Sequence, residues 1–94
     1  MKILIFGVDF VCERFECKNV YSKEEFFDEI IYKNYDVLII EFNLLEVFLE
    51  IKKYFNGVVI FISSYVDEIV YKKALELGDY CYTYEEMWLS LIHI

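Results

Sequence analysis

Residues 34–47, NYDVLIIEFNLLEV, change their hydrophobic period halfway. Residues 37–40 form an unbroken apolar run, VLII, the pattern of a strand buried on both faces. From Leu44 onward the apolar residues recur at helical spacing, as Leu44, Val47, Phe48, Ile51 and Phe55. Glu41 stands at the junction. A carboxylate at the end of a buried strand is costly to desolvate unless something there uses it. A strand followed by an amphipathic helix is half of a βαβ unit, so the flanking sequence decides whether a parallel sheet follows.

It repeats the alternation in both directions. Upstream, residues 2–6 (KILIF) read as a buried strand ended by Gly7. SKEEFFDEIIYKN then reads as a helix. Ser22 and Glu25 make a capping box, Phe26, Phe27, Ile30 and Ile31 form its apolar face, and Asn34 is the expected C-terminal cap. Downstream, the helix over residues 44–55 carries Lys52 and Lys53 near its end and stops at Asn56-Gly57. Residues 58–62 (VVIFI) are a third buried strand. A third helix is expected with Ser63 or Ser64 as its cap, a core stripe of Ile69, Val70, Ala74 and Leu77, and Gly78 as its end. DYCYTY reads as a short aromatic strand. A second capping box, Thr83 with Glu86, opens a last helix whose apolar face is Met87, Leu91 and Ile94.

One segment fits less well. Fourteen residues lie between Gly7 and Ser22, and residues 15–21 look like a strand. What remains is shorter than the dozen or so residues of an ordinary parallel crossover. The first crossover helix is therefore expected to be shortened or missing. The strand is expected to be parallel, with an antiparallel edge strand as the alternative.

The chain has 94 residues, the size of one small domain. Apolar residues make up 59% and aromatics 20%, enough for a packed core. The formal net charge of −8 repels phosphate backbones, so direct nucleic-acid binding is not expected. The apolar runs are far shorter than a membrane span, and MKILIFGVDF reads as a strand rather than a signal peptide. The expected compartment is the cytoplasm. Cys12, Cys17 and Cys81 are an odd count with no CxxC pair. That argues against a disulfide framework and for three buried or half-buried thiols, with no metal or cofactor.

The order of elements, together with NYDVLIIEFNL and VVIFISSYVDEIVYKKALELGDYCY, resembles the receiver domain of two-component response regulators. The ALELG segment ahead of a tyrosine-bearing strand is the most specific part. The resemblance covers nearly the whole chain. It implies a doubly wound, flavodoxin-like α/β fold with a five-stranded parallel sheet of order 2-1-3-4-5 and a site at the carboxyl ends of the strands. It also implies one receiver-like domain over residues 1–94, the N-terminal part of a longer regulator with a DNA-binding domain.

Receivers hold Mg²⁺ with two acids after the first strand and accept a phosphoryl group on an aspartate after the third. A Ser or Thr after the fourth strand and a Lys after the fifth contact the phosphate. Here Gly7 and Val8 stand where the acid pair belongs, and Asp9 is the only acid nearby. The phosphoacceptor position falls on Glu41, and the switch Ser/Thr position on Ser63. The switch aromatic falls on Tyr82, and the lysine position on Glu85, or on Thr83 with a short gap. With a glutamate at the lysine position, a phosphate would meet a like charge. The resemblance therefore implies a degenerate site and no enzymatic activity.

Two readings of Glu41 follow. It is a permanent mimic of the phosphorylated aspartate reaching toward Ser63, or a strand-end acid near a helix N-terminus. Ser63 is either a switch residue or a helix cap. Tyr80, Tyr82, Tyr84 and Trp88 are expected to form a homodimer interface, on the face made by the helix before the last strand, that strand and the last helix. The alternative is a small ligand-binding or enzymatic α/β domain using the crevice around Gly7, Asp9, Glu41 and Ser63. No Gly-rich phosphate loop supports a nucleotide there.

Overall fold

A computed structural model of the chain describes residues 1–10, 12 and 14–87. Five strands form one all-parallel sheet: β1 (Lys2–Phe6), β2 (Glu16–Val20), β3 (Val37–Glu41), β4 (Val58–Ser63) and β5 (Tyr80–Thr83). Their order is β2-β1-β3-β4-β5, as expected for a flavodoxin-like α/β domain. β2 pairs with β1 in parallel, Lys2 opposite Glu16 through Phe6 opposite Val20, which excludes the antiparallel alternative. Three α-helices connect the later strands: α1 (Lys23–Tyr32), α2 (Leu45–Ile51) and α3 (Glu68–Leu77).

The strand alternation separates two cores. Leu4, Phe6, Leu38, Ile40, Val59, Phe61 and Cys81 face the three helices. Phe26 of α1 stacks on Phe6 at 4.3 Å between ring centroids, and Phe48 of α2 meets Phe61 edge-on at 5.7 Å. Ile3, Ile5, Ile39 and Ile62 point to the other face, where Val8, Phe10 and Met87 cover them. At the amino end of the sheet two aspartates join neighbouring strands. Asp36 accepts from Lys2 N through its carboxylate and from Val58 N through its carbonyl. The Asp79 carboxylate accepts from Val59 N.

No helix forms among the described residues between β1 and β2. Gly7, Val8 and Phe10 lead off β1 across the second sheet face. The Asn19 side chain donates to the carbonyls of Val8 and Phe10 at 3.5 and 3.3 Å. One expectation is overturned here: Cys12 and Cys17 are joined in a disulfide, with Cα atoms 6.2 Å apart, and only Cys81 is free. The bond joins residues five apart in sequence, which places Cys12 beside Cys17 on the edge strand.

Several helix details also differ. Ser22 caps α1 as expected, accepting from Glu25 N at 3.2 Å, but the helix ends at Lys33 rather than Asn34. Neither Ser63 nor Ser64 caps α3. Ser63 is still in the ladder, opposite Thr83, and Asp67 is the cap, accepting from Val70 N at 2.8 Å. With the helix set by that cap, Val70, Ala74 and Leu77 face the core. Ile69 lies about 100° around the helix from Val70 and is 77% exposed. The helix expected over residues 44–55 is broken into a 3₁₀ turn (Phe42–Leu44), α2, and a second 3₁₀ turn (Lys52–Tyr54). The Thr83–Glu86 capping box forms in full, with both backbone N–H groups bonded at 3.1 Å or less. Leu91 and Ile94 lie outside the described residues.

Glu29 is a buried carboxylate on α1, held by Lys33 Nζ at 3.1 Å and by a hydrogen bond from the Tyr35 hydroxyl at 3.1 Å. Burial, and then the Glu29 charge, push Tyr35 up to about 12. The fold thus favours the neutral hydroxyl. Its contribution is complete below the unfolded value near 10 and is lost as pH rises through about 12. After discounting for partial exposure, that contribution is about 1–2 kcal/mol. Urea unfolding of the protein and of Tyr35→Phe in parallel should show the stability gap between them closing from about pH 10 to about pH 12. A constant gap would rule this coupling out.

Candidate functional site at the carboxyl ends of the strands

The parallel sheet brings Asp9, Glu41 and Ser63 to one end. Asp9 follows β1, Glu41 ends β3 and Ser63 ends β4. Glu41 is opposite Ile62 in the ladder, and Ser63 is opposite Thr83.

Each acid is engaged locally. The Asp9 carboxylate accepts from the hydroxyl of Tyr21, just past β2, and both residues are exposed. That bond raises the Tyr21 pKa above its ordinary value. Glu41 caps the 3₁₀ turn that follows it. One carboxylate oxygen accepts from Asn43 N at 2.8 Å and the other from Asn43 Nδ2 at 3.3 Å. Burial, then the Glu41 charge and a hydrogen bond to that carboxylate, push the Tyr84 hydroxyl above its ordinary value. Among the described residues, the hydrogen bonds of Glu41 run to Asn43 on its own turn, and Tyr84 faces the carboxylate. Ser63 is not one of those partners.

Gly7, directly after β1, occupies a position that disfavours an acid. Its φ of +83° lies in the left-handed region, and its N–H bonds to Val20 O at 3.0 Å. A Cβ at this position would lie 2.5 Å from Leu44 Cδ1 and 3.5 Å from Glu41 Cβ. The space an acid would need is filled by Leu44, which arrives on the turn that Glu41 caps.

Glu85, which the resemblance places at the lysine position, is exposed in the helical turn over residues 84–87. Its neighbour Tyr84 is the residue that turns toward Glu41. Tyr80 and Tyr82 stack at 6.1 Å with their planes 9° apart, on the face of β5 away from the helices. Tyr82 and Tyr84 are half-buried against the second core, and Tyr84 lies 6.5 Å from Phe10. Trp88 lies outside the described residues. Tyr80 is exposed, and so are Tyr65 in the loop before α3 and Ile69, Tyr71 and Leu75 on it.

A cavity of about 280 Å³ lies at the opposite end of the strands, lined by Ile30, Tyr35, Asp36, Tyr54 and Phe55 among others. Among the described residues no group of three His, Cys, Asp or Glu side chains is placed to hold a metal ion. No helix there is long and apolar enough to cross a membrane. Sequence reasoning missed Tyr21, Leu44 and Tyr84 as the partners that define this end of the sheet; only the place of Tyr84, directly before Glu85, hinted at its role. No protein-family model and no curated protein sequence matches the chain.

Proposed function

We propose that this chain is a receiver-type signalling domain with a degenerate phosphorylation site. It is a non-enzymatic, cytoplasmic regulatory module that works by contact with a second copy of itself. In the full regulator it is joined to a DNA-binding output domain. What carries this reading is Glu41. It occupies the phosphoacceptor position in a sheet of order 2-1-3-4-5, yet its carboxylate is spent on capping its own turn. Leu44 at the same time fills the place of a metal-binding acid beside Gly7. On this reading, phosphoryl transfer lacks the acid pair that would hold its cation and the aspartate that would accept the phosphoryl group.

The contact surface is the one formed by α3, β5 and the helix that begins at Tyr84, with Tyr80, Tyr82, Tyr84 and Trp88 as its aromatic part. The exposure of Ile69 at 77% and Tyr80 at 49% supports it. So does the charge pattern of α3, where Glu68, Lys72 and Glu76 line up four residues apart. A two-fold axis passing between Lys72 and Glu76 would set each Lys72 against Glu76 of the second copy.

Light scattering at high concentration should give a dimer. Ile69→Glu combined with Tyr80→Glu should give a monomer with an unchanged circular dichroism spectrum. Beryllofluoride with Mg²⁺ should produce no NMR shifts centred on Glu41 and Ser63. A wild-type monomer would sink the dimer reading, and shifts at those two residues would sink the degenerate site.

A further inference from the structure

We propose that the Cys12–Cys17 disulfide is a redox-operated clip. Oxidised, it holds the crossover residues Val8, Phe10 and Cys12 against the second face of the sheet; reduced by a dithiol, it lets that segment open while the rest of the domain stays folded. The inference does not depend on the receiver reading. The clip lies at the β2 edge, the opposite side of the sheet from β5.

Four observations carry it. First, the two sulfurs come from elements of different security. Cys17 is in the β1–β2 ladder opposite Ile3, whereas Cys12 sits on the crossover. Second, β2 is an edge strand, paired among the described residues with β1 alone, and both cysteines are half-buried, so a reductant can approach. Third, the cross-link spans five residues. Closing so short a loop shifts an opening equilibrium by roughly 30-fold. That is enough to control a segment and too little to decide whether the sheet folds. Fourth, what the crossover covers is apolar. Val8 and Phe10 lie on Ile3, Ile5 and Ile39, with Phe15 and both cysteines packed against the same cluster. In the closed form the Asn19 side chain holds the carbonyls of Val8 and Phe10, and re-forming those bonds returns Cys12 to the side of Cys17 so that the clip can close again.

The chemistry balances with the dithiol as the sole reductant. A thiolate of the dithiol attacks one sulfur of the pair, forming a mixed disulfide and expelling the other cysteine as a thiolate, which takes up a proton. The second thiol of the reductant then displaces the protein sulfur and closes a ring. Two protein thiols and one cyclic disulfide result, with two electrons transferred. Cys81 does not compete, because it is buried among the helix-side residues.

The test uses the full chain equilibrated over a series of reduced-to-oxidised dithiothreitol ratios. Alkylation with N-ethylmaleimide and intact-mass measurement should count one slow thiol when oxidised and two additional fast thiols when reduced. Hydrogen exchange in a peptide covering residues 7–15 should speed up roughly 30-fold on reduction, matching the loop-closure shift. A peptide covering residues 37–41 should not change. Cys12→Ser should show the fast pattern and ignore the reductant. Equal exchange in the two forms would overturn the proposal. So would loss of protection throughout the domain on reduction, because the disulfide would then be a general staple. Three fast thiols in the air-oxidised protein would overturn it as well.

Discussion

Phe61→Ala is expected to lower the unfolding free energy by about 3–5 kcal/mol. The ring is fully buried on β4, an interior strand, with Phe48 edge-on at 5.7 Å and Phe42 at 6.2 Å. Its other side is closed by backbone: a Cβ at Gly78 would lie 2.8 Å from Phe61 Cε2. A hole left there has few ways to collapse. Gly78 has no side chain to move in, Ala74 is already as small as a side chain gets, and the β4 backbone is bonded to strands on both sides. The upper half of the range is therefore expected. A domain of this length holds a total on the order of 5–14 kcal/mol, so the variant should be marginal at room temperature. Urea unfolding measures it directly, as a lower midpoint with an unchanged slope. A loss below about 1 kcal/mol would mean that the helices close over the gap.

The same packing shows how much of the fold could be read in advance. Interior parallel strands are buried on both faces, so residues 37–40 and 58–62 stand out as apolar runs. Each observed strand is one residue longer at its carboxyl end, taking in Glu41 and Ser63. Composition hides these two because the ladder continues after the apolar run stops. The α1 cap could be read because Ser22 is followed by Glu25 and then by an apolar stripe. The α3 cap could not. A serine that is still bonded to a neighbouring strand looks the same in sequence as a serine that starts a helix. That error moved the expected helix start and put Ile69 in the core, whereas it lies on the surface.

The disulfide was hidden for a related reason. Counting cysteines tests for a framework, whereas this pair depends on the path of one crossover. Had a helix filled residues 7–15, position 12 would have been carried away from the β2 edge. At the mouth of the sheet, the position of Glu41 was legible because it follows from strand order. Its partners were not. Asn43 and Leu44 reach the site on a 3₁₀ turn that replaced the start of an expected helix, and Tyr84 reaches it from the far side of the sheet.

Gly7→Asp, which places an acid at the position where the proposed receiver reading expects one, is expected to destabilise the domain by about 2–5 kcal/mol and to confer no response to a phosphodonor. Two effects add. The φ of +83° suits glycine, and a residue with a Cβ gives up about 1–2 kcal/mol there. The new Cβ also meets Leu44 Cδ1 at 2.5 Å, closer than real contacts allow, and displacing a packed leucine costs about 1–3 kcal/mol. The new carboxylate would in addition lie near Glu41, with no lysine to offset the repulsion. Leu44→Ala provides the discriminating background. If Leu44 is what excludes the acid, Gly7→Asp should cost less in that background, with a coupling of about 1 kcal/mol in a double-mutant cycle of urea midpoints. Additive losses would place the whole cost in the backbone, and Leu44 would then be a bystander. In neither background should Mg²⁺ with beryllofluoride shift the Glu41 resonances. That carboxylate is held by Asn43 on its own turn and faces Tyr84 across the mouth. An acid restored at position 7 gains no partner to share a cation with until those bonds are broken too.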